Sequence, residues 1–439
     1  MPDLSFGLYS GLLPIAGTSK QLHYVAALSQ GDWTSDPIIL WFNGGPGCSS
    51  MLGWTQEHGP YVVEDGQTQF GVNQYSWNKM ATVIYFDSPA GVGYSICGDQ
   101  KECQFDDNNT ADDNLAAFLT LMTEKLPQLQ GNPLYIAGES YAGIYVPKLA
   151  QKIDDYIVNK KGPYLPNMKG IIVGNPVTDH KVDGKPAQFE MAYWYGLIDD
   201  GLYNNVKANC NLSYWDFDAG LLSAQCKNWL NTFNSLISNV NHYDFLGKCY
   251  VEPQPSNQFI QSKLQSRQLQ DAPFFTVSDY TPFDSPLTAP KELQLIPPCV
   301  YALPVYYYLN TRAVMDALHI PQTVTKWDFC LDKGDLSYTR GREGSIAIYP
   351  LLKDKYKILV YSGDTDGVVP TYGTKAWVGE TLAWPVTKKY AQFFVDGQVG
   401  GYSEQRGNMV YATIHGAGHM AAQWRRSYTY TVVKGFLTQ

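Results

Sequence analysis

At 439 residues the chain is long enough for two or three domains, or for one large domain that carries an insertion. Its net charge of −9 argues against a nucleic-acid partner, because phosphate binding needs clustered Lys and Arg. The sequence has no apolar run of about 18 residues, so it predicts no membrane span. The first residues lack the basic start and apolar stretch of a signal peptide, and we expect that a leader has been removed.

The cysteines and glycosylation signals both point to an oxidising compartment. Eight cysteines, an even number, favour disulfide bonds, and none sits in the C-x-x-C spacing of a zinc or redox site. The residues alone leave the pairing open. Sequons for N-glycosylation begin at Asn108 and Asn211. The sequence therefore predicts a protein of the secretory pathway, either secreted or delivered to a lysosome or vacuole.

Short apolar runs bounded by Gly, Pro or Asp recur through the first part of the chain. Their β-branched and aromatic content predicts buried strands. Between two of these runs, Thr110–Leu126 carries apolar residues at helical spacing behind Asn and Asp capping candidates. Alternating strands and helices are typical of a mostly parallel sheet. The predicted strands are Gln21–Leu28, Pro37–Phe42, Ala81–Phe86, Pro133–Ala137 and Met168–Val173.

The composition and the strand pattern of the sequence change between about residue 179 and residue 304. This stretch holds four of the eight cysteines, many Asn, Gln and Ser, and no strand rhythm. Strand patterns then resume at Lys357–Tyr361, Tyr390–Val395 and Met409–Ile414, followed by a helix near Gln423–Phe436. We therefore expect one interrupted α/β domain, residues 1–178 and 305–439, with an inserted helical cap at 179–304 held together by disulfides.

The strongest chemical signal is the segment Gly138–Ala142. An apolar strand runs into a Gly-x-Ser-x-small turn and then into a predicted helix, Ile144–Lys152. This arrangement is typical of the nucleophile elbow of α/β-hydrolases, in which small residues flank the serine because the turn is sharp and strained. Ala142 stands where the general pattern has Gly. The pattern predicts Ser140 as a nucleophile.

A serine hydroxyl becomes reactive when a base takes its proton and a carboxylate orients the base. In α/β-hydrolases the chain order is Ser, acid, His. The loop after Lys357–Tyr361 offers Asp364 and Asp366, and the spacing after Gly favours Asp366. The loop after the next strand offers His415 and His419, and His419 lies beyond a flexible Gly-Ala-Gly from which it can reach the elbow. We predict a triad of Ser140, Asp366 and His419, with Asp364 and His415 as the alternatives.

The two histidines also form an H-x-x-x-H pair, which raises the question of a zinc site. No glutamate accompanies them, and the glycines between them disfavour the helix that would align both rings. We therefore expect neither a metal nor a cofactor.

The segment Trp41–Ser50 closely resembles the signature loop of the serine carboxypeptidases. Other blocks keep that family's order over nearly the whole chain, and only about 180–300 matches loosely. The resemblance implies an α/β-hydrolase that releases C-terminal residues of peptides and proteins through an acyl-enzyme. The further matching blocks are 57–60, 87–95, 138–143, 363–370 and 416–420.

The resemblance also implies roles for residues around the triad. Backbone N–H groups of Gly45 and Tyr141 would form the oxyanion hole, since a glycine-rich loop lets donors approach the developing charge. Two glutamates facing a substrate carboxylate repel it unless they share protons, so peptide binding should strengthen as the pH falls. The residues assigned to the carboxylate are Asn43, Gly44, Glu57 and Glu139.

The family pattern further implies a leaving-residue pocket and a set of disulfides. The residue after the catalytic histidine lines this pocket, and here it is Met420, which favours hydrophobic C-terminal residues. Cys97 and Cys103 are left to close a short local loop. The implied pairs are Cys48–Cys330, Cys210–Cys226 and Cys249–Cys299.

The chain departs from the family pattern in two places. Ala421 and Ala422 replace the usual Val-Pro pair after Met420, and Gly174–Pro176 replaces the usual Gly-Asn-Gly. Two other functions stay open: an acyltransferase built on the same machinery, and a protective or binding partner with a dual role. A homodimer is one of the assemblies that we consider.

Overall fold

A computed structural model describes residues 4–249, 299–331 and 336–439. The largest sheet has eleven strands in the order β1-β2-β6-β3-β9-β10-β12-β15-β14-β13, with β7 beside β2. The strands are β1 Leu8–Pro14, β2 Lys20–Ala27, β3 Ile38–Phe42, β4 Tyr61–Val63, β5 Phe70–Val72, β6 Thr82–Phe86, β7 Ile96–Cys97, β8 Gln104–Asp106, β9 Leu134–Glu139, β10 Met168–Gly174, β11 Ser337–Thr339, β12 Lys357–Gly363, β13 Lys388–Val395, β14 Gln398–Arg406 and β15 Met409–Ile414.

Six neighbouring strands at the centre of the sheet, from β6 to β15, run parallel, and the outer strands are antiparallel. Helices surround this sheet, as the alternating pattern predicts. The described α-helices are Asp107–Thr120, Ala142–Val158, Lys185–Trp194, Asp200–Asn209, Trp215–Asp218, Ala224–Ile237, Leu303–Leu309, Arg312–Ala317, Tyr349–Leu352, Thr371–Ala376, Ala421–Trp424 and Arg426–Leu437.

The core lies on both faces of the parallel strands. All five residues of β3 are buried, as expected for a strand covered on both sides. Because side chains alternate along a strand, Leu40 joins a cluster with Val146 of the helix Ala142–Val158, while Trp41 joins the opposite cluster. This packing fixes the carboxyl ends of the central strands, where the predicted site residues lie.

The predicted fold class, an α/β-hydrolase with an inserted helical cap held by disulfides, is confirmed. Three cap helices share a separate apolar cluster that includes Phe189, Val206 and Phe233. Residues 250–298 of the predicted insertion lie outside the described residues, and its bounds at 179 and 304 stay predictions. None of the helices that the structure describes is long and apolar enough to cross a bilayer.

The structure joins all eight cysteines in the pairs that the family resemblance implies, including the local Cys97–Cys103 loop. The Cys48–Cys330 bond connects residues 282 positions apart and fastens the signature loop to the segment before the last strands. Both sequon residues, Asn108 and Asn211, are exposed.

Candidate active site

Ser140 occupies a sharp turn between β9 and the helix Ala142–Val158. Its φ of 62° lies in the left-handed region, which is strained for a residue with a side chain. Glycines flank the turn because other backbone passes close to it. A Cβ atom on Gly138 would lie 2.5 Å from the carbonyl oxygen of Phe42, and one on Gly143 would lie 2.3 Å from that of Val177. This is the geometry of a nucleophile elbow.

Asp366 and His419 follow the neighbouring parallel strands β12 and β15, and they meet at the same edge of the sheet. Asp366 Oδ2 lies 2.7 Å from His419 Nδ1, and both side chains are buried. Asp366 Oδ1 accepts the backbone N–H of Val368 at 2.7 Å. The carboxylate is therefore fixed on one side by its own loop and presents its other oxygen to the imidazole.

The two alternative residues, Asp364 and His415, pair with each other. His415 Nδ1 lies 2.8 Å from Asp364 Oδ2, and the His415 side chain is 63% exposed. The backbone N–H of Gly416 donates to the other oxygen of Asp364 at 2.7 Å. This second pair braces the turn at the surface of the sheet edge.

Asn175 connects the acid to the elbow, and the sequence reasoning missed its role. Its Nδ2 donates to Asp366 Oδ2 at 2.8 Å, and its Oδ1 accepts the N–H of Gly363 at 3.1 Å. The preceding residue, Gly174, accepts the N–H of Ser140 at 3.0 Å. Asn175 is fully buried directly after β10, the strand between β9 and β12. Its position at the carboxyl end of a central strand was the signal that could have revealed it.

Ser140 follows β9 and the loop that carries His419 follows β15, the first and last of four adjacent strands, so both residues lie beyond the same carboxyl edge of the sheet. Among the hydrogen bonds of the described residues, none joins the Ser140 hydroxyl to His419. Catalytic hydrogen bonds in free enzymes are often long and tighten only when substrate binds. The structure thus brings Asp366 and His419, the predicted acid and base, into contact and places the elbow on the same edge.

The signature loop lies directly against the elbow. A Cβ atom on Gly44 would lie only 2.4 Å from the backbone nitrogen of Tyr141, so no other residue fits there without displacement. Gly45 has a φ of 112°, which also requires glycine. Within the described residues, no hydrogen bond uses the N–H groups of Gly45 and Tyr141. The Tyr141 hydroxyl donates to Asp107 at 2.8 Å, which anchors this residue from the other end.

Asn43, Glu57 and Glu139 form one buried cluster. Asn43 Nδ2 lies 2.9 Å from Glu57 Oε1 and 3.0 Å from Glu139 Oε1. Asn43 Oδ1 accepts the indole N–H of Trp41 at 2.8 Å and the backbone N–H of Gly53 at 3.1 Å. Because two donors face Oδ1, the amide group must point its nitrogen at the glutamates. Glu139 immediately precedes Ser140, so this cluster adjoins the elbow.

Burial raises the pKa of both glutamates. For Glu139 the negative charges of Glu57 and Asp366 raise the pKa further, well above its usual range. For Glu57 the amide of Asn43 and the charges of His419 and Arg426 offset part of the increase. Glu57 Oε2 is buried and has no hydrogen-bond partner. The pair thus retains protons at a pH where isolated carboxyl groups would be ionised.

Met420 follows His419, is partly buried and opens the short helix Ala421–Trp424. In this helix, where the chain departs from the family pattern, Gln423 Nε2 and Trp424 Nε1 both donate to the Asp65 carboxylate, at 2.8 and 2.9 Å. These two hydrogen bonds fasten the helix to the segment that follows β4. No group of three or more His, Cys, Asp or Glu in the described part of the chain is arranged to hold a metal ion.

Comparisons with known proteins place the chain in a family. The model of the serine carboxypeptidase family matches residues 1–439. Serine carboxypeptidase 1 from Hordeum vulgare is 33% identical over 95% of this chain and 86% of its own length. The lysosomal protective protein of Mus musculus is 30% identical over 99% of this chain and 91% of its own.

A solved structure has the same fold. The crystal structure of a prohormone-processing carboxypeptidase from Saccharomyces cerevisiae superimposes with a TM-score of 0.74 and covers 100% of this chain and 93% of its own, at 20% identity. The full-length family match and the relatives at 30–33% identity decide the assignment. This chain belongs to the serine carboxypeptidase family of hydrolases.

Proposed function

We propose that the protein removes C-terminal residues from peptides and proteins through an acyl-enzyme on Ser140. The observation that carries this proposal is the buried Asn43–Glu57–Glu139 cluster beside the elbow. A hydrolase that cuts internal bonds does not have to bind the free carboxylate of a chain end. A proton-sharing pair of carboxyl groups can donate hydrogen bonds to a carboxylate, which is the group that distinguishes a chain end.

In the proposed mechanism, His419 Nε2 takes the proton of the Ser140 hydroxyl as the oxygen attacks the last peptide carbonyl. Asp366 holds the ring through Nδ1 and stabilises the imidazolium that forms. The N–H groups of Gly45 and Tyr141 receive the negative charge of the tetrahedral intermediate. His419 then gives its proton to the leaving amine, the C-terminal amino acid departs, and water hydrolyses the ester by the same steps in reverse order.

Peptide binding in this proposal strengthens at acid pH. The raised pKa values of Glu57 and Glu139 mean that the pair holds protons as the pH falls and loses them as the pH rises. Each lost proton replaces a hydrogen bond to the substrate carboxylate by repulsion. The enzyme should therefore work best in an acidic compartment.

We propose that the enzyme prefers hydrophobic leaving residues, because Met420, the residue after His419, contributes an apolar side chain to the proposed leaving-residue pocket.

The four disulfides support residence in the secretory pathway, with secretion, a lysosome or a vacuole as the destination. The exposed sequons at Asn108 and Asn211 support the same route. A homodimer is a separate prediction, and the mass of the protein in solution tests it.

The direct test compares N-blocked dipeptides at pH 5 with the same peptides carrying a C-terminal amide. We expect release of the free C-terminal amino acid from the first set and a large loss of kcat/KM with the amides. Cleavage of internal bonds at similar rates would contradict the proposal. Rapid transfer of the acyl group to an added alcohol, with little hydrolysis, would identify an acyltransferase instead.

A further inference from the structure

A short piece of the predicted insertion lies between the two loops that carry the acid and the base. We call residues 242–245 the loop clamp. The backbone N–H of His419 donates to the carbonyl oxygen of Tyr243 at 2.6 Å. On the other side, the N–H of Gly367 donates to His242 O at 2.9 Å, and the N–H of Phe245 donates to Thr365 O at 2.9 Å. The clamp therefore hydrogen-bonds to the acid loop and to the histidine loop.

Each of the two loops has a glycine that lies too close to the clamp to be replaced by a residue with a side chain. A Cβ atom on Gly418 would lie 2.2 Å from the carbonyl oxygen of Tyr243. A Cβ atom on Gly367 would lie 2.1 Å from the ring of Phe245. Each loop thus has a glycine beside its catalytic residue at the point where the clamp touches it. The Tyr243 ring also meets the His419 imidazole edge to face, with centroids 5.4 Å apart.

The clamp is braced from within its own segment. The Asn241 side chain accepts the N–H of Tyr243 at 3.0 Å and donates to the carbonyl oxygen of Lys248 at 2.9 Å. Asn241 is buried, and the next residue after Lys248 is Cys249, which is bonded to Cys299. A single amide therefore closes the base of the clamp at both ends.

We propose that the loop clamp is a positioning element that sets the separation of Asp366 and His419, so that the insertion takes part in aligning the triad. This inference rests on the proposed roles of these two residues. A displacement of about 1 Å in a catalytic group can lower the rate on the order of a hundredfold. A clamp fixed to both loops by backbone hydrogen bonds limits such displacement.

Two substitutions disturb the clamp through different contacts. Asn241→Ala removes the brace, and Phe245→Ala removes the ring that packs against Gly367. We expect each variant to lower kcat at least about tenfold while KM for a blocked dipeptide changes less than about twofold, because neither side chain belongs to the carboxylate cluster. Phe245→Leu should restore most of kcat, since it refills the space. Leu246→Ala is the matched control, because this neighbouring side chain is 71% exposed.

Rates are expressed per competent site, counted by titration of the Ser140 hydroxyl with a fluorophosphonate, so that loss of folded enzyme does not imitate loss of alignment. The proposal predicts a reduced kcat per labelled site in both alanine variants. It is overturned if kcat per labelled site stays at the wild-type value, including the case where activity falls only because fewer sites are labelled. Failure of the wild-type enzyme to label at Ser140 would instead overturn the proposed function.

Discussion

The Nδ1 atom of His419 lies 2.7 Å from the Oδ2 atom of Asp366, and both side chains are buried. The neighbouring His415–Asp364 pair has almost the same separation, 2.8 Å, but lies at the surface. Distance alone does not separate the two pairs. The two pairs differ in burial, since only the His419–Asp366 pair is buried. They also differ in their contacts, because the hydrogen bond from Asn175 to Asp366 connects this pair to the turn that holds Ser140.

Replacing the acid of the buried pair should abolish most of the catalysis. In Asp366→Asn the ring of His419 loses the acceptor that holds its tautomer, and we expect kcat to fall by about 10⁴-fold. Asp364→Asn is the matched control and should leave kcat within about twofold. Steady-state kinetics on a blocked dipeptide measure both. Equal losses in the two variants would remove the distinction between the pairs.

The glutamate pair predicts the pH dependence of KM. Burial raises the pKa of Glu57 and Glu139, so the protonated pair binds a terminal carboxylate and the ionised pair repels it. Above the apparent pKa of the pair, KM of a free peptide should rise by up to about tenfold per pH unit. The double variant Glu57→Gln, Glu139→Gln should show a flat KM between pH 5 and 8.

The control for this experiment is an ester substrate that lacks a free carboxylate. Its KM should not follow the wild-type peptide profile. If the double variant keeps the wild-type pH dependence of KM for the free peptide, another group is responsible.

Asn175 should act on turnover rather than on binding. Its φ of 41° is readily adopted by glycine, so Asn175→Gly removes the amide while keeping the backbone. The variant loses the hydrogen bond to Asp366, and we expect kcat to fall about tenfold with KM nearly unchanged. An increase in KM at constant kcat would assign Asn175 to substrate binding instead.

Asp183, near the start of the predicted insertion, should make stability depend on pH. Burial raises its pKa to about 8, its Oδ1 is buried without a partner, and its Oδ2 accepts the N–H groups of Thr178 and Asp179. Between about pH 4 and 8 the folded state keeps a proton that the unfolded state has lost. The free energy of unfolding therefore falls as the pH rises through this window.

Asp183→Asn cannot ionise, so it lacks this contribution. The stability of the variant relative to wild type should increase from pH 5 to pH 8, by at most about 1.4 kcal/mol per pH unit. Denaturant unfolding of both proteins at the two pH values measures the difference. A constant difference would show that Asp183 does not titrate in this range.

Strands and helices with strong hydrophobic periodicity were predicted well from the sequence. The runs proposed as strands all fall on strands, from β2 to β15. Six of these eight strands form the parallel centre of the sheet, where buried strands are continuous apolar segments. Of the longer strands, β1 and β14 were missed, since Leu8–Pro14 contains Ser and Gly, and Gln398–Arg406 is rich in polar residues and glycine. The strands of two or three residues, β4, β5, β7, β8 and β11, were missed as well. The helix predicted at Thr110 begins at Asp107, because Asp106 and Asn109 form a capping box.

The site residues also fall into two groups, those that a local pattern predicts and those that depend on contacts between distant parts of the chain. Ser140 and its elbow follow from local pattern, because the chemistry of that turn is confined to consecutive residues. The contacts of Asn175 with Asp366 and of Tyr243 with His419 join residues 191 and 176 positions apart. Such contacts depend on the order of strands in the sheet and on the path of the insertion. Local sequence patterns contain neither.

The most direct measurement labels the protein with a fluorophosphonate at pH 5 to 7 and maps the modified residue by mass spectrometry. The account predicts one phosphonyl group per chain, on Ser140, with labelling lost in Ser140→Ala and strongly slowed when His419 is replaced by Ala. Label on another residue, or equally fast labelling without His419, would contradict the triad.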